Sequence, residues 1–315
     1  MTEMTVNMYA CAVSVATVWT SPESVRELDA EGVSNPVQLN KWLEKLVYEQ
    51  RLDLCNANRV QTQLLYGEPV IVDEIVGEWA KIIAVWQPSQ KDPRGYPGWV
   101  PVAQLKKAEP LEAAGGFIRI AVPKAQLWSL DGLPERIVPF NTMLPLTDEQ
   151  EDHFVVDTPD GEALVRKEDI VRAPSVHQFH KRPASAAVDE GLAYLDLPYF
   201  WGGMSPYGYD CSGFTYNMLK ACGYFIPRDA SDQAVNGEEV PLHERERWEK
   251  GDLLFFANDE GKGNVRHVGF YYGDDLLLHS PSTGYSIEVV QLAGSKLEKE
   301  LCAVRRYGTR EGADV

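Results

Sequence analysis

Cysteine is scarce in this chain and carries no pairing signal: Cys11, Cys55, Cys211, Cys222 and Cys302 are the only five in 315 residues, with no CxxC among them. That excludes a disulfide scaffold and a cysteine-rich zinc module. No Cys/His cluster stands at metal spacing, so neither metal nor cofactor is expected. Basic residues are also short, 30 against 47 acidic ones, for a formal net charge of −17. Phosphate backbones and anionic membranes reward clustered positive charge, so nucleic acid and membrane are excluded as main partners. A small ligand carrying a cationic amine suits the charge better. No apolar run approaches the length that spans a bilayer. The apolar stretch "MYACAVSVATVW" follows Glu3, and the first positive charge is Arg26. This reverses the charge order of an export signal, so the stretch reads as a strand and the free thiols place the chain in the reducing cytoplasm.

What the chain does have is length enough for two or three domains and a sizeable core. Two stretches rich in Pro, Ala, Gly or charge, "KKAEPLEAAGGF" (106–117) and "RAPSVHQFHKRPAS" (172–185), divide it into domains 1–108, 109–175 and 176–315. In the first, "EPVIVDEIV", "EWAKIIAVW" and "RGYPGWVPV" are short β-like runs between turns, which predicts a small barrel. One helix interrupts it, because Leu39, Trp42, Leu43, Leu46 and Val47 fall on one face of "PVQLNKWLEKLVYEQ". The second domain repeats the theme with "FIRIAV", "AQLWSL", "HFVVDT" and "GEALVRKEDIV" and reads as scaffold. The third opens on "SAAVDEGLAYL", a helix with Ser185 as its cap, and runs into "DLLFF", "HVGFYY" and "LLLHS". Helices followed by antiparallel strands predict an α+β domain.

Within that domain lies "YDCSG" at 209–213. Asp210 suits an N-cap and Gly223 a left-handed C-terminal residue, so "CSGFTYNMLKACG" reads as a helix with Cys211 in its first turn. The helix dipole and unpaired N–H groups there favour an anion, lowering a thiol pKa from about 8.5 toward roughly 7. Cys211 is therefore either a packed core thiol or a nucleophile, and a nucleophile needs a base. His153, His177, His180 and His243 lie in polar, loop-like contexts typical of surface histidines. His267 and His279 are embedded in apolar β runs, where a polar ring needs a reason. They are twelve residues apart around "YGDDL". An odd loop, Gly273 to Asp275, sets His279 across from Gly269 and diagonal to His267. That is a base with an orienting partner. An unbulged two-residue loop excludes it.

In this order and over about 130 residues, "LPYFWGG", "YDCSGF", "PRDASDQ", "GDLLFF", "RHVGFYYGD" and "LLHSPSTG" resemble the NlpC/P60 family of papain-like cysteine peptidases. The two domains ahead resemble bacterial SH3 domains. The resemblance thus implies a multidomain chain, two N-terminal SH3-like β-barrels followed by an α+β papain-like catalytic domain. It also implies a monomer that cleaves the γ-D-Glu to L-Lys or diaminopimelate bond of small murein peptides with a free N-terminal L-Ala, in cell-wall peptide recycling. By motif, Cys211 is the nucleophile, His267 the base and His279 its orienting partner. Asp210 binds the free amine or caps the helix, Ser212 binds the substrate backbone, and Tyr199 the oxyanion or peptide. Tyr96 from the first barrel closes the L-Ala pocket, with Glu68 as an acidic partner for the amine. In "PRDASDQ", Asp229 matches the family, whereas Ala230 stands where relatives carry serine and leaves Ser231 as a substitute. Two alternatives share this chemistry: a secreted hydrolase of intact peptidoglycan, and thioester-dependent acyl transfer to an acceptor other than water.

Overall fold

The structure, a computed structural model, describes residues 7–109 and 115–308; residues 110–114 of the first linker-like stretch lie outside it. The chain divides into two compact units. One comprises the residues up to Trp86 with Lys91–Phe179, and the other Gln87–Gln90 with the residues from His180 onward.

The first unit holds two sheets of seven strands each. Strands β1 (Met8–Cys11), β2 (Val15–Trp19), β3 (Val60–Leu65), β4 (Pro69–Val76), β5 (Trp79–Ala84), β6 (Tyr96–Pro101) and β7 (Leu105–Lys107) pair in the order β3-β2-β6-β5-β4-β1-β7. The run "MYACAVSVATVW" is thus two strands with a break at residues 12–14, not one. The second sheet is built from β8 (Phe117–Ile120), β9 (Lys124–Trp128), β10 (Pro134–Pro139), β11 (Met143–Glu149), β12 (His153–Thr158), β13 (Gly161–Arg166) and β14 (Ile170–Ala173). Its order, β10-β9-β13-β12-β11-β8-β14, repeats that of the first. Among the described residues the end strands of neither sheet pair with each other, so neither small barrel closes by hydrogen bonding. Bulges at β2/β3, β4/β5, β9/β10 and β11/β12 bend the sheets instead. Each then buries one apolar face, around Val18, Ile82 and Val100 in the first and Ile118, Leu127 and Val156 in the second.

The helical insertion is three helices, α1 (Ala30–Val33), α2 (Leu39–Lys45) and α3 (Tyr48–Asn56), rather than one. Leu39, Trp42 and Leu46 are buried as the stripe requires, but Val47 is 55 % exposed. The break at Leu46 and Val47 is held by Arg51, whose guanidinium donates to the Leu43 and Leu46 carbonyls that α2 leaves open. Trp42 packs against Trp19 and donates its indole N–H to the buried Asp29 carboxylate at 2.9 Å.

In the second unit, α4 (Ala184–Leu192) starts two residues earlier than a Ser185 cap implies, with Pro183 at its cap position. Pro183 brings no N–H to a helix entry whose first N–H groups have no intrahelical partner. Strands β15 (Met204–Ser205) and β16 (Gly208–Tyr209) form a small hairpin leading into α5 (Cys211–Ala221), and α6 (Ala230–Val235) follows. The main sheet contains β17 (Glu238–Glu239), β18 (Leu253–Ala257), β19 (Val265–Gly273), β20 (Leu276–His279), β21 (Glu288–Gln291) and β22 (Leu301–Arg306), in the order β17-β22-β18-β19-β20-β21. Every residue of α5 is buried. An aromatic series of tilted and edge-on rings, Tyr194, Tyr209, Phe214 and Phe270, packs the helix onto β19 with ring centroids 5.4–6.0 Å apart. A helix fixed on all sides holds its first residue, Cys211, still. No helix among the described residues is long and apolar enough to cross a membrane.

Candidate active site

Helix α5 begins where the sequence places it. Asp210 has extended backbone, and its Oδ1 accepts the Gly213 N–H at 2.6 Å, an N-cap bond. Only glycine fits at 213, since a Cβ there would stand 2.1 Å from the Gly203 carbonyl oxygen. Asp210 is not left with a spare charge, however. Arg228, itself buried, donates Nη2 to Asp210 Oδ2 at 2.6 Å and Nη1 to Oδ1 at 3.1 Å. The same Nη1 donates to Ser212 Oγ at 2.9 Å, and that hydroxyl donates to Asp210 Oδ1 at 3.3 Å. The two side chains expected to hold substrate are tied into a buried cluster with Arg228. Gln233 extends it, donating to the Ser212 carbonyl at 3.2 Å and accepting from Thr215 at 2.9 Å.

The histidines meet as the parity argument requires, through a different turn. Asp274 and Asp275, at φ +49° and +59°, form a two-residue turn of the kind that needs positive φ at both positions. Tyr272 is bulged out, so Tyr271 faces Leu277 while Gly273 faces Leu276. The expected three-residue loop is corrected to a two-residue turn plus a bulge; either adds the one odd residue that turns both rings to the same face. His267 Nε2 then lies 2.7 Å from His279 Nδ1, with the rings 69° apart. Gly269 makes this approach possible, since a Cβ there would stand 2.8 Å from the His279 Cβ.

Cys211 and both histidines are buried, and the backbone N–H groups of Ser212 and of Val268, the neighbour of His267, draw the Cys211 thiol pKa down. The thiol is nevertheless pushed up to about 12, by burial first and by the Asp210 charge second, against Arg228 and those N–H groups. The lowering expected from the helix N-terminus is therefore overturned in the resting enzyme: desolvation of the thiolate outweighs the dipole. Burial also pushes His267 well below its ordinary range, helped by His279 and Arg266, and His279 down to about 4. Burial thus favours the neutral form of both the Cys211 thiol and the His267 ring.

Tyr199 is buried in the same unit, its N–H bonded to the Tyr285 carbonyl at 2.9 Å. Asp229 stands at the N-cap position of α6, half-buried, and its side chain makes no cap bond to that helix. Ser231 is exposed and turns its hydroxyl to Asp232 Oδ1 at 3.3 Å. Residues Gln87–Gln90 belong to this unit too: the Pro88 carbonyl accepts the Arg228 N–H at 2.9 Å, and Gln90 donates its N–H to Asp232 at 2.8 Å. Tyr96 and Glu68 lie in the other unit. Tyr96 is buried in its first sheet with the Lys91 ammonium 4.1 Å from the ring centroid, and Glu68 is buried and accepts the Leu65 N–H at 3.0 Å. Glu68 is thus no solvated surface carboxylate. Of the remaining histidines, His177, His180 and His243 are exposed as expected, whereas His153 sits in β12 against Trp128. Sequence reasoning missed Arg228 and Gln233, although both fall in or beside the quoted "PRDASDQ". No group of three or more His, Cys, Asp or Glu among the described residues forms a metal-binding set.

Comparison with known proteins agrees with the geometry. The NlpC/P60 family profile matches residues 196–306, and that of the YkfC SH3b2 domain matches residues 120–171. A γ-D-glutamyl-L-lysine dipeptidyl-peptidase of Bacillus subtilis is 46 % identical over 299 residues, covering 95 % of this chain and 98 % of that protein. One of the same name from Bacillus cereus is 38 % identical, over 94 % of this chain and 89 % of that one. A crystal structure of an NlpC/P60 family protein from Bacillus cereus superposes with a TM-score of 0.90 at 37 % identity, covering 96 % of this chain and all of that one.

Proposed function

The chain belongs to the NlpC/P60 family of cysteine peptidases, and from that premise we propose that it hydrolyses the γ-D-Glu to L-Lys or diaminopimelate bond of murein peptides with a free N-terminal L-Ala. The observation that carries this reading is the buried His267–His279 pair at 2.7 Å, with the His267 strand, β19, packed against the helix that Cys211 opens. Names borne by relatives that match nearly the full length supply the substrate class.

The reaction runs as acyl transfer through a thioester. Cys211 Sγ attacks the γ-carbonyl carbon of D-Glu while its proton passes to His267, so the unfavourable thiolate never accumulates. Backbone N–H groups at the start of α5, aided by the helix dipole, stabilise the tetrahedral oxyanion. His267 then returns the proton to the leaving amine, and water, deprotonated by the same ring, releases L-Ala-γ-D-Glu. Tyr199 lines the peptide. Because Arg228 already neutralises Asp210, recognition of the substrate ammonium falls to Asp229, and Ser212 contributes through its backbone.

The finer fold reading accompanies this. The first sheet, whose strand order matches that of the SH3b-type second, is a further SH3b-type module, and the unit from His180 onward is papain-like. Five cysteines outside any disulfide and a net charge of −17 fit a monomeric cytoplasmic enzyme of peptide recycling. Mass spectrometry of digests tests the reading. The free tripeptide L-Ala-γ-D-Glu-L-Lys or its diaminopimelate counterpart is expected to be cleaved, and the N-acetylated tripeptide and intact peptidoglycan to be left whole. Release of stem fragments from intact peptidoglycan would favour a secreted wall hydrolase instead.

A further inference from the structure

The histidine pair ends on one further polar atom. His279 Nε2 is buried and makes no hydrogen bond among the described residues. What faces it is Glu288. The two residues are directly opposed across β20 and β21, and Glu288 Oε1 stands 3.6 Å from His279 Nε2, just beyond hydrogen-bond length. The Glu288 side chain is 47 % exposed and has rotamer freedom to close that gap, while His279 is locked in the core.

Proton counting gives this carboxylate a task. His267 Nε2 is occupied by His279, so only His267 Nδ1 is left to take the thiol proton. For Nδ1 to offer a lone pair, the single proton of a neutral His267 must sit on Nε2 and point at His279 Nδ1. His279 must then accept at Nδ1 and carry its own proton on Nε2, aimed at Glu288. The opposite tautomer puts a proton on His267 Nδ1, which disables it as a base, and turns the His279 Nε2 lone pair toward a carboxylate oxygen. We infer that Glu288 is a positioning residue: by accepting the His279 Nε2–H it fixes the tautomers of both histidines and leaves His267 Nδ1 free to deprotonate Cys211. As the Sγ–carbon bond forms and the thiol proton moves to His267 Nδ1, the other two protons stay where they are. The negative charge of Glu288, relayed by His279, then favours the imidazolium. The groups that bear on this titration are Cys211 on α5, Arg266 and His267 on β19, His279 on β20 and Glu288 on β21.

The inference rests on the peptidase reading, and its test separates the two. Turnover of the free tripeptide is measured across pH for the wild type, Glu288→Leu and Glu288→Gln, and the histidine tautomers are read by 15N NMR on the unreacted proteins. Glu288→Leu is expected to lower kcat about tenfold with KM unchanged within about twofold. It also moves the acid limb of kcat/KM down by about half a pH unit, because the imidazolium loses its carboxylate. Glu288→Gln, which keeps an acceptor without the charge, recovers most of kcat but shares the shifted limb. The wild-type spectrum shows His279 protonated on Nε2, and Glu288→Leu loses that signature. A wild-type profile in Glu288→Leu, or a wild-type His279 protonated on Nδ1, overturns the inference. So does a fall in kcat with neither the limb nor the tautomer moved, which would mark Glu288 as merely structural. If the wild type leaves the tripeptide uncleaved, the substrate reading fails while the spectrum still decides the tautomer.

Discussion

Arg228 Nη2 donates to Asp210 Oδ2 at 2.6 Å, and the two side chains are 1 % and 8 % exposed. A buried carboxylate without a partner would demand a cation from the substrate, and one already paired does not. Removing either partner strands the other charge away from water, which typically costs 3–5 kcal/mol. Asp210→Ala and Arg228→Ala are each expected to lose about that much stability in urea unfolding. An Asp210→Ala enzyme with native stability and a sharply raised KM for the free-amine peptide would return Asp210 to the ammonium.

Gly269 sits opposite His279, and a Cβ there would stand 2.8 Å from the His279 Cβ and 3.0 Å from the Leu278 carbonyl oxygen. The backbone oxygen cannot yield cheaply, so Gly269→Ala is expected to push β20 and open the 2.7 Å histidine contact. We expect kcat to drop at least about tenfold, since the base loses the group that orients it. Steady-state kinetics beside a far-UV spectrum check this; full activity would show that the pair tolerates separation.

The Cys211 thiol, pushed up to about 12, is predicted to be protonated in the resting enzyme. Alkylation of Cys211 by iodoacetamide, followed by peptide mass spectrometry, should quicken steadily from pH 6 to pH 9 without a plateau. A plateau below pH 7 would reveal a resting thiolate–imidazolium pair. Cys55 and Cys302, partly exposed, serve as internal references.

Burial sets a pH dependence of stability as well. His279 titrates at about 4 in the fold, against 6.5 for an ordinary histidine. Below pH 6.5 the unfolded chain takes up a proton that the folded chain refuses. Its contribution to stability is therefore complete above pH 6.5 and lost as pH falls toward 4. One histidine shifted this far is worth roughly 3 kcal/mol, and His267 acts in the same direction. Urea midpoints between pH 7 and pH 4 should fall in the wild type and fall less in His279→Gln; equal slopes would mean the ring is hydrated.

The reach of the sequence follows from how local each feature is. Asp210, Cys211 and Gly213 are neighbours at a helix start, where cap chemistry is written in consecutive letters. His267 and His279 were legible as a pair because strand parity is arithmetic. The turn between them was not, because a bulge at Tyr272 and a longer loop add the same odd residue. The break between α2 and α3 was hidden because a helical stripe continues in register across it, and only the bonds from Arg51 reveal the stop. Arg228 lies eighteen residues from Asp210 and is brought to it by an irregular segment, which no periodicity describes. Glu288 reaches His279 only through the pairing of β20 with β21.

The central claim, that Cys211 is the nucleophile of a γ-D-glutamyl peptidase, is tested most directly by one comparison. Release of L-Lys from L-Ala-γ-D-Glu-L-Lys is measured for the wild type and for Cys211→Ala, with circular dichroism as the control for folding. Steady release is expected from the wild type, and a rate at least about a thousandfold lower from a folded Cys211→Ala. Equal rates for the two proteins would contradict it.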